Sequence, residues 1–497
     1  MQAAEDSIEK LIKNTSLAVN DLYPALKRDT VVANECKGKV SPLLELVPEM
    51  RMNVKFVLVN LATAINALFS VISAVEKRLH LINLRADMHE CYKLLLGFEN
   101  VRKYTTWSKI GKVLHEMVFE GRGELYKTLL GLYDAITSKL EVIANAALEK
   151  DNRDLAYHYD DDLLKVYQNL LDTSNEEEVM KRLIPLCDLL QCVLIFCNQI
   201  ESVEKLNGEI LPDVEAPNDI LFFEQGLLAE YLKKNEKIDE ALTNILQRAS
   251  QIDVEARVQR GLVRIKKFAE EKQMGFPEAN DMDKMGNTRL LIRIMLVDIA
   301  TSIHAYIQSN SGPEYAFNLR RLTITIVSTL ERLYGYDEGY REDKLWAYIF
   351  KMIPVEDKSL IEEAKEIEKN LNAQINDKEK ADRVLFVHPM NKKINNVQTI
   401  LSTIEKVKPV SALNRAESLV KVSIRVQGFL KVLMDKLAAD AHRKSMESTA
   451  VCLANLQSFR DIINQMQSSE SVKAGLIEQM DKLEGFIKGD WLHLEQN

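Results

Sequence analysis

The sequence predicts an all-α protein, and three observations carry that prediction. Turn formers are scarce, with 18 glycines and 11 prolines in 497 residues, so the chain turns rarely and its elements are long. Phe56–Val75 (FVLVNLATAINALFSVISAV) runs twenty residues without a formal charge, and a helix apolar nearly all round has to be buried on every side. From Glu124 to about residue 149, Leu125, Leu129, Leu132, Ile136, Leu140, Ile143 and Ala147 recur at three and four, the spacing of one buried helical stripe.

Composition narrows the class. The chain is 46% hydrophobic and 28% charged, the balance of a folded protein rather than a disordered one. At roughly 100–200 residues per domain, its length holds about two to four domains. A net charge of −9 argues against nucleic acid as a partner, because that binding rests on neutralising phosphates. Six scattered cysteines (36, 91, 187, 192, 197 and 452) do not make a disulfide framework. The polar, acidic start MQAAEDSIEK lacks the basic and apolar blocks of a secretory signal. A reducing, cytoplasmic setting is the expectation.

In chain order, an amphipathic pattern over 4–22 ends at Pro24. A looser segment reaches Pro48, and the central helix then continues to about Ile82. The uncharged stretch is long enough to cross a bilayer, but Asn60, Thr63, Asn66, Ser70 and Ser73 interrupt it. Its four alanines suit close helix approach, so it reads as the innermost helix of a soluble bundle. Further helices are expected over 84–99, 107–119, 124–149, 153–172, 178–206, 219–235 and 238–273. Pro185 threatens the fifth of these, whose start shows Thr173 and Ser174 ahead of acidic residues that suit a helix N-terminus. Residues 207–218 (NGEILPDVEAPN) read as a linker, and 274–287 as a second break. The second half repeats the style, with helices expected over 288–309, 314–335, 341–352, 356–375, 396–407, 411–439, 441–467 and 470–489. The polar stretch 376–395, with its VLFVHP run, is expected to be an irregular connection. No repeat of solenoid period is visible. Long antiparallel helices in four- or five-helix bundles follow, divided into modules at 1–275 and 284–497 with a linker at 276–283.

Catalytic chemistry finds little support. Asp160, Asp161 and Asp162 (HYDDDLLKVY) suggest the metal-binding acids of an all-helical isoprenoid synthase, but adjacent residues do not share a helix face. Asp281 and Asp283 fall in an expected loop. Cys187, Cys192 and Cys197 lie five apart, so each points about 140° from the last and they do not converge on one metal. The eight histidines include no pair at i, i+4, and neither familiar glycine-rich phosphate loop is present. No cofactor and no enzymatic activity are expected.

One electrostatic feature stands out. In VEARVQRGLVRIKKFAEEKQ, Arg257, Arg260, Arg264 and Lys267 fall at spacings of three, four and three. Val254, Val258, Leu262, Ile265 and Ala269 make an apolar stripe on another face. A solvated outer face of a bundle helix normally carries such a charge stripe, and the same line also suits an acidic protein surface or anionic lipid.

Two segments resemble the vinculin/α-catenin/talin group of helical-bundle adhesion proteins. EGRGELYKTLLGLYD (Glu120–Asp134) is similar to the start of a long helix in vinculin-family heads, with Gly121, Arg122, Gly123 and Leu125 in register and a shorter run to Asp134. Leu58, Leu61, Ala62, Ile65, Asn66, Phe69 and Ile72 follow the spacing of talin helices that insert into such heads, with Ser73 where that pattern prefers an aliphatic residue. The resemblance implies two vinculin-head-like modules in a non-enzymatic adaptor linked to the actin cytoskeleton or adhesion sites. Its protein partners would be captured by exchange of amphipathic helices. A helical tether or trafficking-complex subunit is the alternative.

Overall fold

The computed structural model describes residues 2–69, 71, 73–97, 99–147, 167, 174–215, 244–245, 249–272, 281–309, 311–391, 394–444, 446–466 and 469–488. These are almost wholly helical, as expected.

α1 (Gln2–Glu35) runs through Pro24 instead of ending there. Val19, Tyr23, Leu26 and Val32 are buried along α2 (Pro42–Phe69), and this packing holds a turn in which proline donates no hydrogen bond. α2 begins earlier than the sequence suggests. Pro42 occupies its first position, where no N–H is needed, and the Leu44 N–H donates to Ser41 Oγ at 3.2 Å.

The uncharged stretch is not one helix. α2 stops at Phe69 and α3 (Ala74–Leu95) starts after Ser73. The Glu76 N–H donates to Ser73 Oγ (3.2 Å) and the Ser73 N–H donates to Glu76 Oε2 (3.0 Å). This reciprocal capping box fixes the break. α4 (Thr106–Phe119) closes in a Schellman turn, with Arg122 N–H on Met117 O and Gly121 N–H on Val118 O. Gly121 has φ +77°, the left-handed conformation such a stop requires.

α5 (Glu124–Ala147) buries Tyr126, Leu129, Leu140 and Ala144. Leu125 and Leu132 of the expected stripe face outward, so the buried line is rotated by one residue at its start. α6 (Ser174–Leu206) contains Pro185 without interruption. It packs along α5, with Tyr126 OH donating to Glu204 Oε1 at 2.7 Å. The helices expected over 153–172 and 219–235 lie outside the described residues, apart from Tyr167.

α7 (Ser250–Glu271) is followed by α8 (Asp281–Ile307) and α9 (Gly312–Leu333). Asp281 and Asp283 open α8 rather than lie in a loop. Ser311 caps α9 through the Glu314 N–H. α10 (Leu345–Lys351) and α11 (Lys358–Asn372) follow. The expected irregular connection contains α12 (Asp377–Val387), capped by Asn376, whose Oδ1 accepts the N–H groups of Lys378 and Glu379. A two-residue hairpin, Met390–Asn391 with Ile394–Asn395, comes next. α13 (Val397–Ile404), α14 (Pro409–Lys444), α15 (Met446–Gln465) and α16 (Glu470–Lys488) are the last of the described helices.

Among the described residues, the buried side chains form one large apolar cluster from Val19 to Leu433 and a small separate one. The large cluster draws on both sides of residues 276–283. Its inner helices are α2, α3, α8 and α9, which pack on one another. The small cluster joins α7 to α15 and α16.

Candidate functional site

α2 carries the face expected to exchange with partner helices. Leu61, Ala62 and Ile65 are buried, Leu58 is half-buried, and Phe69 is 37% exposed at the helix end. Ile72 lies outside the described residues. Asn66 Nδ2 donates to Glu314 Oε1 at 2.7 Å, and Arg320 Nη1 donates to Asn60 Oδ1 at 2.8 Å. Asn395 Nδ2 donates to Glu49 Oε1 (2.9 Å) and to Asn53 Oδ1 (2.8 Å). α2 buries 17 residues, most of them Val, Leu, Ile, Met or Phe. Each such side chain contributes about 1.5–3 kcal/mol, and a whole domain keeps only about 5–15 kcal/mol. Release of α2 therefore has the scale of global unfolding.

Sequence reading missed α3 as a buried helix. Glu76, His80, Asn83, Asp87 and Glu90 recur at four, three, four and three, the pattern of a solvated face, yet all are buried. His304 Nδ1 of α8 lies 2.8 Å from Glu76 Oε1. Arg321 of α9 donates to Asp87 Oδ2 (2.6 Å) and Asn83 Oδ1 (3.2 Å). Burial pushes the His80 imidazole down to about 3, with Arg321 and His304 adding to that effect and Glu76 opposing it, so it stays neutral at pH 7. Polar periodicity alone does not separate such a stripe from a wet one. The readable signal was Ser73-Ala-Val-Glu76, a capping box that starts a new helix.

α7 joins the two clusters by different faces. In its first half Ile252 and Ala256 are buried where it meets α3 and α8. Arg78 pairs with Asp253, Tyr167 OH donates to Asp253 Oδ1 at 2.6 Å, and Arg293 pairs with Glu255. In its second half Ile265 and Ala269 pack with Leu456, Ile462, Ile463 and Met480 of α15 and α16. Ile252 and Ile265 are thirteen residues apart, so at about 100° per residue they point about 140° away from each other. This twist of the buried face explains why the predicted apolar stripe holds only in part. Val254 is exposed and Val258 half-buried, while Ile265 and Ala269 are buried. Arg257, Arg264 and Lys267 are exposed and Arg260 is half-exposed, so the basic line faces outward over both halves.

The other candidates do not gather. Asp160–Asp162 lie outside the described residues. Cys187 is half-buried, Cys192 exposed and Cys197 buried. Burial pushes the Cys187 and Cys197 thiols up to about 12, which makes them poor nucleophiles. Among the described residues, no three His, Cys, Asp or Glu side chains cluster as metal ligands would. A groove of about 560 Å³ lies beside the start of α14, lined by Gln374, Lys408, Ser411, Asn414, Arg415 and Ser418. Arg415 in it is engaged by Glu379 and Gln374. Among the described residues, three helices, within Pro42–Phe69, Lys181–Leu206 and Lys284–Ile307, are long and apolar enough to cross a membrane. The first and third are mostly buried inside the protein, the second less than half.

The chain matches no protein-family model, no curated protein and no solved structure.

Proposed function

We propose that this chain is a non-enzymatic helical scaffold that links protein partners, with α7 and the α15–α16 pair as its working surface. The observation that carries the reading is the outward basic line on α7, set where the main core meets a separate small cluster. A solvated charge face does not need that position or that alignment. The buried ionisable groups of α3, α8 and α9 support the same reading, because Glu76, Asp87, His304 and Arg321 tie helices together instead of lining a cavity.

The finer architecture belongs to this proposal. The antiparallel run of α5 against α6, and the Arg460–Asp481 pair between α15 and α16 at 2.6 Å, suit antiparallel vinculin-like bundles of four or five helices. The link to actin or adhesion sites rests on the resemblance at Glu120–Asp134 and Leu58–Ile72. In this scheme the α2 face serves partners only after the core has opened, whereas one side of α7 lies at the surface of the closed protein. Co-sedimentation of the full chain with actin filaments tests the cytoskeletal part. Filament-dependent pelleting is the expected result, and a chain left wholly in the supernatant at micromolar filament concentrations removes actin from the proposal.

A further inference from the structure

We infer that a second copy of this chain lies antiparallel along the outward face of α5, through Leu125, Thr128, Leu132, Ala135, Lys139 and Val142. This surface is separate from α7, so the inference goes beyond the scaffold reading.

α5 carries two apolar faces. Tyr126, Leu129, Leu140 and Ala144 are buried within the protein. The six outward residues are all exposed, Leu125 and Val142 by more than half. Ala135 stands six residues from Leu129, about 120° round the helix. The outward intervals are three, four, three, four and three. That is the narrow seam of a two-helix coiled coil, not the wider stripe that a bundle core or a bilayer surface needs. Gly131 is exposed beside the seam, and a Cβ there would meet nothing within 4 Å. A helical glycine costs about 1 kcal/mol against alanine. No described neighbour requires it, whereas the close approach of a second helix does.

The seam complements itself. Its interval series reads the same in reverse, so an antiparallel copy sets Leu125 on Val142 of the second copy and Leu132 on Ala135 of the second copy, each twice. Thr128 then meets Lys139 of the second copy, which brings that ammonium within one helical turn of Glu124. Within its own chain Glu124 contacts Lys127 at 2.6 Å, an exposed pair that holds it weakly. A parallel copy would instead stack Lys139 on Lys139, a like-charge contact. An unrelated partner would have to present both an apolar seam and an acid in register, and this chain presents both itself. The seam is about 25 Å long at 1.5 Å per residue. It lies at the small end of specific interfaces, so a reversible dimer with a Kd of about 10 μM is expected.

Sedimentation equilibrium of the full chain between about 1 and 100 μM tests this, with monomer expected at the low end and dimer at the high end. Leu132→Glu with Ala135→Glu is expected to weaken the dimer at least about tenfold. Gln191→Glu with Gln199→Glu, an equal charge change on the exposed face of α6, leaves it unchanged. Lys139→Glu sets like charges together and weakens association about tenfold. Adding Glu124→Lys to it restores association, because both copies then carry the exchanged pair. If the first variant disturbs the circular dichroism spectrum, Leu132→Gln with Ala135→Gln reads the same contact. A monomer across the whole range, an equal loss in the α6 variant, or a charge exchange that restores nothing each overturns the inference.

Discussion

At the residue scale, the most consequential side chains are polar ones inside the core. Asp87 is buried and pairs with the partly buried Arg321, and a buried charge that loses its partner costs about 3–5 kcal/mol. Arg321→Ala is therefore expected to lower the stability by about 3 kcal/mol in urea titration. The Arg321→Met, Asp87→Leu double variant should recover most of that loss, because an apolar pair leaves no charge behind. His80 predicts an acid limit. Its folded-state value, about 3, lies below the usual 6.5 of an unfolded histidine. Between those values the unfolded chain binds the extra proton, so the contribution is complete above about pH 6.5 and is lost as pH falls towards 3. The expected slope is up to about 1.4 kcal/mol per pH unit below about 6. Urea midpoints at pH 7, 6 and 5 should fall in the wild type and fall less steeply in His80→Gln.

At the element scale, the junction of α4, α5 and α6 is set by an aromatic cluster. Trp107 stacks on Tyr133 at 4.7 Å and meets Phe196 edge-on at 5.6 Å, while Trp107 Nε1 donates to Thr137 Oγ1 at 2.9 Å. A Cβ on Gly111 would run into the Tyr133 ring. Alanine in a helix gains about 1 kcal/mol over glycine, but overpacking a filled site costs about 1–3 kcal/mol. Held between two rings, Tyr133 has little room to give. Gly111→Ala is expected to lower the thermal midpoint by several degrees, where a rise would show that the cluster adapts. The same scale shows what was legible in the sequence. Helices with a clear apolar period and ordinary caps, such as α4, α5 and α9, were readable to within a few residues. Pro24 and Pro48 misled because tertiary burial holds a turn that lacks one hydrogen bond. α12 was hidden by its polar first turn. The break at Ser73 was written in its capping residues but masked by the apolar run on both sides. For the site, the row on α7 was fully legible as spacing, while the switch of its buried face was not. That switch depends on two separate neighbours, α8 on one half and α15–α16 on the other.

At the scale of the whole molecule, the central claim is that α2, α3, α8 and α9 form one cooperative core and that the second half of α7 with α15 and α16 stands apart from it. Polar ties such as Asn60–Arg320, Asn66–Glu314 and Asp87–Arg321 cross the boundary expected at 276–283. The ties that hold the first half of α7, Arg78–Asp253 and Arg293–Glu255, are ionic and partly exposed, which suits a weaker and salt-sensitive attachment. Native-state hydrogen exchange of the full chain tests this most directly, because cooperative units exchange together. Amides of α2, α3, α8 and α9 are expected to share the slowest class, while those of α15, α16 and the second half of α7 exchange together and faster. A division of the slow amides into two unequal classes that parts at residues 276–283, with α7 slow throughout, would contradict it.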